Sequence, residues 1–203
     1  MGKKVLIVGG VAGGASVATR VRRVDEHAEI IMFEKGPHVS YSNCALPYYL
    51  SGIVEDRDKL ILMNPEKFKK QYRIDARVQH EVMQINREQK KVLVKDLITG
   101  KTYEESYDKL VLSPGAKPIR PKLPGVDREH VFTVRDVMDI EKIHTYLQQH
   151  RLKHIAVIGG GFIGIEVAEN LKLADYEVTL VEFANQVMAP FDEGMAQILH
   201  KEM

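Results

Sequence analysis

The sequence predicts an α/β fold that contains two βαβ units and an antiparallel meander between them. Two observations predict the βαβ units: a short apolar strand, a glycine-rich turn and a helical pattern occupy residues 5–34 and return over residues 154–183. A third observation predicts the meander, because residues 74–107 hold short strands separated by polar turns at Asn86–Gln89 and Thr99–Gly100. The chain therefore repeats one supersecondary unit on either side of a different one.

The first βαβ unit is predicted element by element. Val5–Val8 is a short β-branched and leucine strand that ends at two glycines, and helical periodicity then runs from about Gly13 to Val24. Glu29–Phe33 is apolar after its first residue and predicts the second strand. A strand, a helix and a further strand in this order predict a parallel pair with a helical crossover.

Short helices are predicted between this unit and the meander. Residues 43–50 are expected to form a helical turn, and "NPEKFKKQY" predicts a helix with Asn64 as N-cap and Pro65 at its first position. After the meander, Lys109–Leu112 predicts a strand and "SPGAKPIRPKLPG" a loop rich in proline and glycine. Residues 136–149 then show a helical pattern.

The second βαβ unit begins at His154 and is followed by "FDEGMAQILHKEM", which predicts the start of a helix. About 50 residues separate His154 from Met203. A dinucleotide-binding domain of this type needs more strands than that length holds. We therefore expect the chain to end inside its second nucleotide-binding domain.

Composition excludes several classes of function. Lys plus Arg number 29 against 28 Asp plus Glu, so nothing predicts binding to nucleic acid or to an anionic membrane. No stretch of 18 apolar residues predicts a membrane span, and glycines followed by arginines argue against a signal peptide at the N-terminus. One cysteine excludes a disulfide framework and favours a reducing, cytoplasmic location. His144, His150 and His154 have no partners at metal-ligand spacing and are interpreted as surface residues, so no metal site is predicted.

The second glycine motif is Gly159-x-Gly161-x-x-Gly164, between a strand and a helix. In such motifs the first glycine makes the tight turn, the second lets the backbone approach a pyrophosphate, and the third permits close helix–strand packing. Glu182 ends the next strand, 18 residues after Gly164. A carboxylate at this position accepts hydrogen bonds from ribose hydroxyls and repels a 2′-phosphate, which favours NADH over NADPH. Nucleotide binding is the prediction, and tight packing alone is the alternative.

The first glycine motif, Gly9-x-Val11-x-x-Gly14, has valine in place of the middle glycine, with Gly10 and Gly13 adding flexibility nearby. Glu34 follows Gly14 by 20 residues, the position expected for a ribose partner. Two such units in one chain predict two nucleotides, and a flavin with a nicotinamide nucleotide is the usual pairing.

Cys44 lies ten residues after Glu34, beyond the carboxyl end of the second predicted strand, where such sheets bind ligands. It is either a nucleophile or a small buried filler. A helical turn starting there would lower the pKa of the thiol. Because no second cysteine exists, a redox cycle requires a sulfenic acid or a mixed disulfide with an outside thiol.

Six segments carry a resemblance to a known family: "VGGVAGGAS", "IIMFEKG", "VSYSNCALPYYLSG", "NPEKF", "ESYDKLVLSPGAKPIRP" and "GGGFIGIEVAENL". Over residues 3–203 the chain resembles the single-cysteine branch of the flavin-dependent pyridine nucleotide–disulfide oxidoreductases, and within it the coenzyme A-disulfide reductases and CoA-dependent persulfide reductases. The resemblance implies Rossmann-like FAD- and NAD(P)-binding domains over 1–120 and 121–203, the second truncated. It also implies a homodimer for the full-length family member.

The resemblance also implies roles for individual residues. Cys44 would be the redox-active thiol at the flavin, and Asn43 would orient the substrate there. FAD would be held by Gly9, Gly10, Val11, Ala12, Gly13, Gly14, Glu34, Lys35, Ser113, Pro114 and Gly115. The nicotinamide nucleotide would be held by Gly159, Gly161, Phe162, Ile163, Gly164, Glu166 and Glu182. Coenzyme A would lie along Ser16, Arg20, Arg23, Ser40 and Asn43.

The implied activity passes electrons from NAD(P)H through FAD to Cys44. Cys44 would then reduce coenzyme A disulfide, or a CoA persulfide or polysulfide, through a Cys–S–S–CoA mixed disulfide. One alternative is an NADH oxidase or peroxidase that uses a Cys44 sulfenic acid. An alternative of another class is a non-catalytic nucleotide-binding fragment of such an enzyme.

Overall fold

The computed structural model describes residues 2–203, which form two compact units. The first unit comprises the chain up to Ser42 together with Ile61–Lys117. The second comprises Asn43–Leu60 together with Pro118–Met203, so the segment with Cys44 belongs to it. The division into nucleotide-binding domains at residue 120 stays a prediction.

The first unit opens with the predicted βαβ arrangement, which is confirmed. Strand β1 is Lys4–Val8, helix α1 is Ala12–Val24 and strand β2 is Glu29–Glu34. The two strands are parallel, with Leu6 opposite Ile31. Both strands are apolar on both faces, as expected for a parallel sheet covered on each side.

The helical segments that follow also match expectation. Residues Asn43–Ala45 form a 3-10 turn that leads into α2, Leu46–Leu50. A second 3-10 turn, Arg57–Leu60, has no signal in the sequence pattern. Helix α3 is Pro65–Tyr72, and Oδ1 of Asn64 accepts the Lys67 backbone N–H at 2.8 Å, so the predicted N-cap is confirmed.

The meander is shorter than predicted, because its first predicted residues belong to another sheet. Strand β3, Ile74–Val78, pairs in parallel with β2. Gln79, with φ of 56°, then turns the chain away from this sheet. The meander itself consists of β4 His80–Asn86, β5 Lys91–Asp96 and β6 Thr102–Ser106. The central strand β5 pairs antiparallel with β4 on one side and with β6 on the other.

Strand β7, Lys109–Leu112, returns to the parallel sheet beside β1, which gives the order β3-β2-β1-β7. One face of this sheet packs on Ala15 and Ala18 of α1 and on Phe68 of α3. The other face packs on Val92 and Val94 of the meander. The sheet is therefore buried on both sides, and its carboxyl edge presents the glycine turn after β1.

The second unit repeats the βαβ arrangement after a long loop. Helix α4 is Val137–His150, β8 is His154–Ile158, α5 is Phe162–Leu173, β9 is Glu177–Val181 and α6 is Glu193–Glu202. Strands β8 and β9 form a parallel pair. The predicted second βαβ unit is thus confirmed. Every helix within residues 2–203 is too short or too polar to cross a membrane.

Candidate functional site

The first glycine turn lies between β1 and α1 and has the geometry that its motif requires. Gly9 has φ of 92°, a left-handed value that favours glycine, and its N–H donates to the Phe33 carbonyl at 2.8 Å. A Cβ on Gly14 would lie 1.7 Å from the Gly9 carbonyl oxygen. Only glycine at position 14 therefore permits the close approach of helix and turn.

The acid at the end of β2 supports this turn directly. The carboxylate of Glu34 accepts the backbone N–H groups of Gly10 and Gly36, each at 2.8 Å. Each carboxylate oxygen keeps a further lone pair for a ligand hydroxyl. Glu34 thus shapes the turn and remains suited to a ribose.

The second glycine turn repeats this geometry in the second unit. Gly159 has φ of 106° and donates its N–H to the Val181 carbonyl at 2.8 Å, and a Cβ on Gly164 would lie 1.8 Å from the Gly159 oxygen. The carboxylate of Glu182 accepts the N–H of Gly160 and, at 2.8 Å, that of Ala184. The backbone N–H groups of Ala184 and Gly160 lower the pKa of Glu182.

The repeat extends to a contact that sequence reasoning missed. The carbonyl of Gly10 accepts the Ser40 N–H at 3.0 Å, and the carbonyl of Gly160 accepts the Met188 N–H at 2.7 Å. Ser40 and Met188 both have positive φ, 54° and 52°. Serine and methionine share no sequence pattern, so no motif could have identified the pair. Ser40, predicted on the coenzyme A path, has this backbone role in the structure.

The two motifs differ at their middle position. A Cβ on Gly161 would meet no heavy atom within 4 Å, so the structure leaves open space there for a close approach from outside. Val11 occupies the matching position before α1. The Ser113–Gly115 loop lies beside the first glycine turn. The Ser113 N–H donates to the Val8 carbonyl at 2.7 Å, and a Cβ added to Gly13 would lie 3.3 Å from the Oγ of Ser113.

The predicted coenzyme A residues on α1 share one exposed face. Ser16, Arg20 and Arg23 are spaced four and three residues apart and are all exposed. Arg22 is different, because its guanidinium donates to the carbonyls of Tyr72 at 2.7 Å and Glu26 at 2.7 Å. Arg22 thus joins α1 to the end of α3, whereas Arg20 and Arg23 are exposed on α1, with Nε of Arg23 donating to the Thr19 carbonyl at 3.3 Å.

Cys44 is an exposed free thiol in the 3-10 turn before α2. The alternative of a small buried filler is therefore wrong. Asn43, its predicted partner, is also exposed. The turn thus exposes a thiol and an amide on consecutive residues.

The segment that holds Cys44 is attached to helices α4 and α5 of the second unit. The rings of Tyr49 and His144 lie 4.8 Å apart between centroids, and Arg57 forms an ion pair with Glu141 at 2.6 Å. The Ser51 hydroxyl donates to Oδ1 of Asn170 at 2.7 Å and so joins this segment to α5. The carboxylate of Glu166, a predicted nucleotide residue on the same helix, raises the pKa of Tyr48.

Two other predicted features take the following places. Lys35, predicted to contact FAD, forms an ion pair with Glu81 at 2.6 Å. Phe162 and Ile163 lie exposed in the first turn of α5, at the second glycine turn. Among residues 2–203, no group of three or more His, Cys, Asp or Glu residues is arranged to hold a metal ion.

The lowered pKa of Glu182 makes the stability of the second unit depend on pH. Because the pKa of the folded form lies below its ordinary value of 4.5, the carboxylate stabilises the fold above that pH and loses this effect on acidification. We expect Glu182→Gln to lower the urea midpoint at neutral pH, and we expect this difference from the wild type to shrink at an acidic pH below 4.5. Urea unfolding at both pH values measures this, and parallel losses for both proteins would contradict it.

Comparisons with known proteins identify the family of this chain. The family model described as pyridine nucleotide-disulphide oxidoreductase matches residues 3–203. A coenzyme A disulfide reductase from Staphylococcus epidermidis is 40% identical over 98% of this chain and 45% of its own length. The crystal structure of reduced Bacillus anthracis CoADR-RHD matches with a TM-score of 0.96 at 49% identity, over 100% of this chain and 37% of that one. An NAD-dependent persulfide reductase from A. fulgidus matches with a TM-score of 0.93 at 35% identity, over 98% and 38%. The chain thus spans less than half the length of these relatives.

Proposed function

Because this chain belongs to the pyridine nucleotide–disulphide oxidoreductase family, we propose that it serves electron transfer from NAD(P)H through FAD to Cys44. The proposed acceptor is coenzyme A disulfide. One observation supports this most strongly: the single cysteine is exposed on a turn attached to α5, the helix that begins at the second glycine turn.

The residues present fit the two nucleotides. The first turn would hold FAD with its glycines, with Glu34 at the ribose and with the Ser113–Gly115 loop beside it. The second turn would hold the nicotinamide nucleotide, with the open space at Gly161 for the pyrophosphate and Glu182 at the ribose. Bound FAD supplies hydride acceptance from the nicotinamide and an electron pair for the disulfide.

Cys44 performs the thiol chemistry. Its thiolate attacks one sulfur of coenzyme A disulfide, forms the Cys44–S–S–CoA bond, breaks the CoA–S–S–CoA bond and releases one coenzyme A thiolate, which takes a proton from water. An electron pair and a proton then split the mixed disulfide into a second coenzyme A thiol and the Cys44 thiolate. Asn43 orients the substrate at the thiol, and Arg20 and Arg23 on α1 bind its phosphates.

Two other acceptors remain as alternatives. A CoA persulfide or polysulfide fits the same thiol chemistry, and the similarity to a persulfide reductase favours keeping it. An NADH oxidase or peroxidase would instead use a Cys44 sulfenic acid. The mass of the purified chain separates the two classes: a thiol-reversible addition the size of coenzyme A supports the reductase, and one added oxygen supports the oxidase.

The visible absorption spectrum of the purified chain, recorded with FAD before and after NADH, tests the proposal. We expect protein-bound flavin bands that bleach when NADH is added, because both glycine turns are formed within this chain. Bleaching would contradict the alternative of an inert nucleotide-binding fragment.

The opposite result is equally informative. Absence of flavin bands after soaking with FAD would contradict flavin binding by this chain and would place the activity in a longer protein. The cytoplasmic location and a homodimeric assembly stay predictions, which cell fractionation and sedimentation would test.

A further inference from the structure

Asn170 is an unusual residue for its place in helix α5. Its side chain is buried, with 0% of its surface exposed. Among residues 2–203, it is the one polar residue that is buried in this way. A buried amide must have partners for both its nitrogen and its oxygen. Where those partners lie shows what the residue does.

The nitrogen of this amide is satisfied within its own helix. Nδ2 of Asn170 donates to the Glu166 carbonyl, one turn earlier, at 2.8 Å. This bond orients the side chain and leaves its oxygen directed away from that carbonyl. The oxygen, Oδ1, accepts the hydroxyl of Ser51 at 2.7 Å. Ser51 immediately follows α2, the short helix after Cys44.

A second contact joins the same two elements one turn earlier in each. The carboxylate of Glu166 lies close enough to the Tyr48 hydroxyl that its negative charge is the largest cause of the raised pKa of Tyr48, and desolvation of the hydroxyl is the next cause. Tyr48 therefore stays protonated at neutral pH and keeps its hydroxyl as a donor.

The spacing of these residues relates the two contacts to the thiol. Tyr48 lies four residues after Cys44 within one continuous helical stretch, so the two side chains lie on the same side, one turn apart. Ser51 lies three residues after Tyr48. Two consecutive turns of α5 thus interact with the chain just after the cysteine, through the hydrogen bond of Asn170 to Ser51 and through the charge of Glu166 near Tyr48.

We propose that Asn170 and Glu166 are positioning residues for Cys44: through Ser51 and Tyr48 they hold the thiol-bearing turn in one orientation on helix α5. The inference rests on the proposed function, because orientation matters only if Cys44 attacks a bulky disulfide in line. A small reagent that approaches an exposed thiol from any direction does not need it.

The experiment compares two reactions of the same thiol. Coenzyme A disulfide and iodoacetamide each modify the Cys44 thiol. Because the chain has one cysteine, the mass added to the protein measures the modification of Cys44 alone. We expect Ser51→Ala and Tyr48→Phe each to slow the reaction with coenzyme A disulfide on the order of tenfold, while alkylation changes less than about twofold. Ser51→Thr, which keeps the hydroxyl, is expected to restore the wild-type rate.

Thr179→Ala is the matched control. It removes a hydroxyl that forms a 2.8 Å hydrogen bond to His154 between β8 and β9 in the same unit, away from the thiol-bearing segment in sequence. We expect it to leave both rates unchanged. A loss of folding would slow or speed both reactions together, so a change confined to the disulfide separates positioning from stability.

Failure of this inference and failure of the proposed function are distinguishable. If wild-type chain forms no coenzyme A adduct, the proposed function fails, and amide hydrogen exchange over residues 43–50 then tests the positioning by itself. We expect severalfold faster exchange in Ser51→Ala and in Tyr48→Phe. Wild-type exchange in both variants, or wild-type disulfide rates in both, would overturn the inference.

Discussion

Gly161→Ala is expected to weaken NADH binding at least tenfold while leaving the second unit folded. The added Cβ meets no heavy atom of the protein within 4 Å, and Gly161 has φ of −80°, which alanine adopts freely. The methyl group would instead occupy the space into which the pyrophosphate must come. A tenfold loss corresponds to about 1.4 kcal/mol of binding free energy.

The free energy of unfolding of Gly161→Ala should differ from that of the wild type by less than about 1 kcal/mol. Loss of glycine at the N-cap lowers stability, whereas the reduced freedom of the unfolded chain raises it. Fluorescence titration with NADH and urea unfolding measure the two quantities on one preparation. Unchanged NADH affinity in a folded Gly161→Ala protein would contradict a pyrophosphate site at this turn.

Gly164→Ala is the matched control, with the same chemical change three residues later. Its Cβ would lie 1.8 Å from the Gly159 carbonyl oxygen, so the helix and the turn must move apart. We expect a loss of stability of about 3 kcal/mol or more, with NADH binding lost as a consequence of unfolding. The pair therefore separates the glycine needed for binding from the glycine needed for folding.

Cys44→Ser is expected to lower disulfide reduction at least about a thousandfold, because a hydroxyl forms no mixed disulfide and is a far weaker nucleophile at neutral pH. The side chain is exposed, so stability should be nearly unchanged. Reduction of bound flavin by NADH should persist, since hydride transfer to the flavin does not use the thiol. Stopped-flow absorbance with NADH and then coenzyme A disulfide measures both steps.

The same variant tests the competing acceptors. If Cys44→Ser retained disulfide turnover, Cys44 would not be the nucleophile and the proposed function would be wrong. If wild-type protein consumed oxygen rapidly and formed no coenzyme A adduct, the sulfenic acid alternative would replace it. Ser51→Thr, with an unaltered thiol, serves as a preparation control for both measurements.

Most of the fold could be predicted from local pattern. The two βαβ units, the helix capped by Asn64 and the existence of a meander all follow from side-chain periodicity, glycine position and capping chemistry. The pattern is misleading at β3, which it places in the meander but which pairs in parallel with β2. Strand partners are set by packing between distant segments, and the local pattern of β3 does not encode which sheet the strand joins.

The candidate site could be predicted less completely. The glycine turns, Glu34, Glu182 and Cys44 can be identified because each chemistry requires a particular residue type at a particular spacing. The bonds from Ser40 and Met188 to the glycine turns escape such reasoning, since a backbone N–H can be supplied by almost any residue.

What the sequence by itself determined is the repeated glycine turn, its acidic partner and the presence of a single thiol, because these depend on residue identity over short distances. Tertiary structure alone decided that the turn bearing Cys44 is attached to α5 through Ser51 and Asn170, which lie 119 positions apart. It also decided that Cys44 is exposed. Burial and long-range hydrogen bonds depend on which surfaces come into contact when the chain folds, and a local sequence pattern does not specify those tertiary contacts.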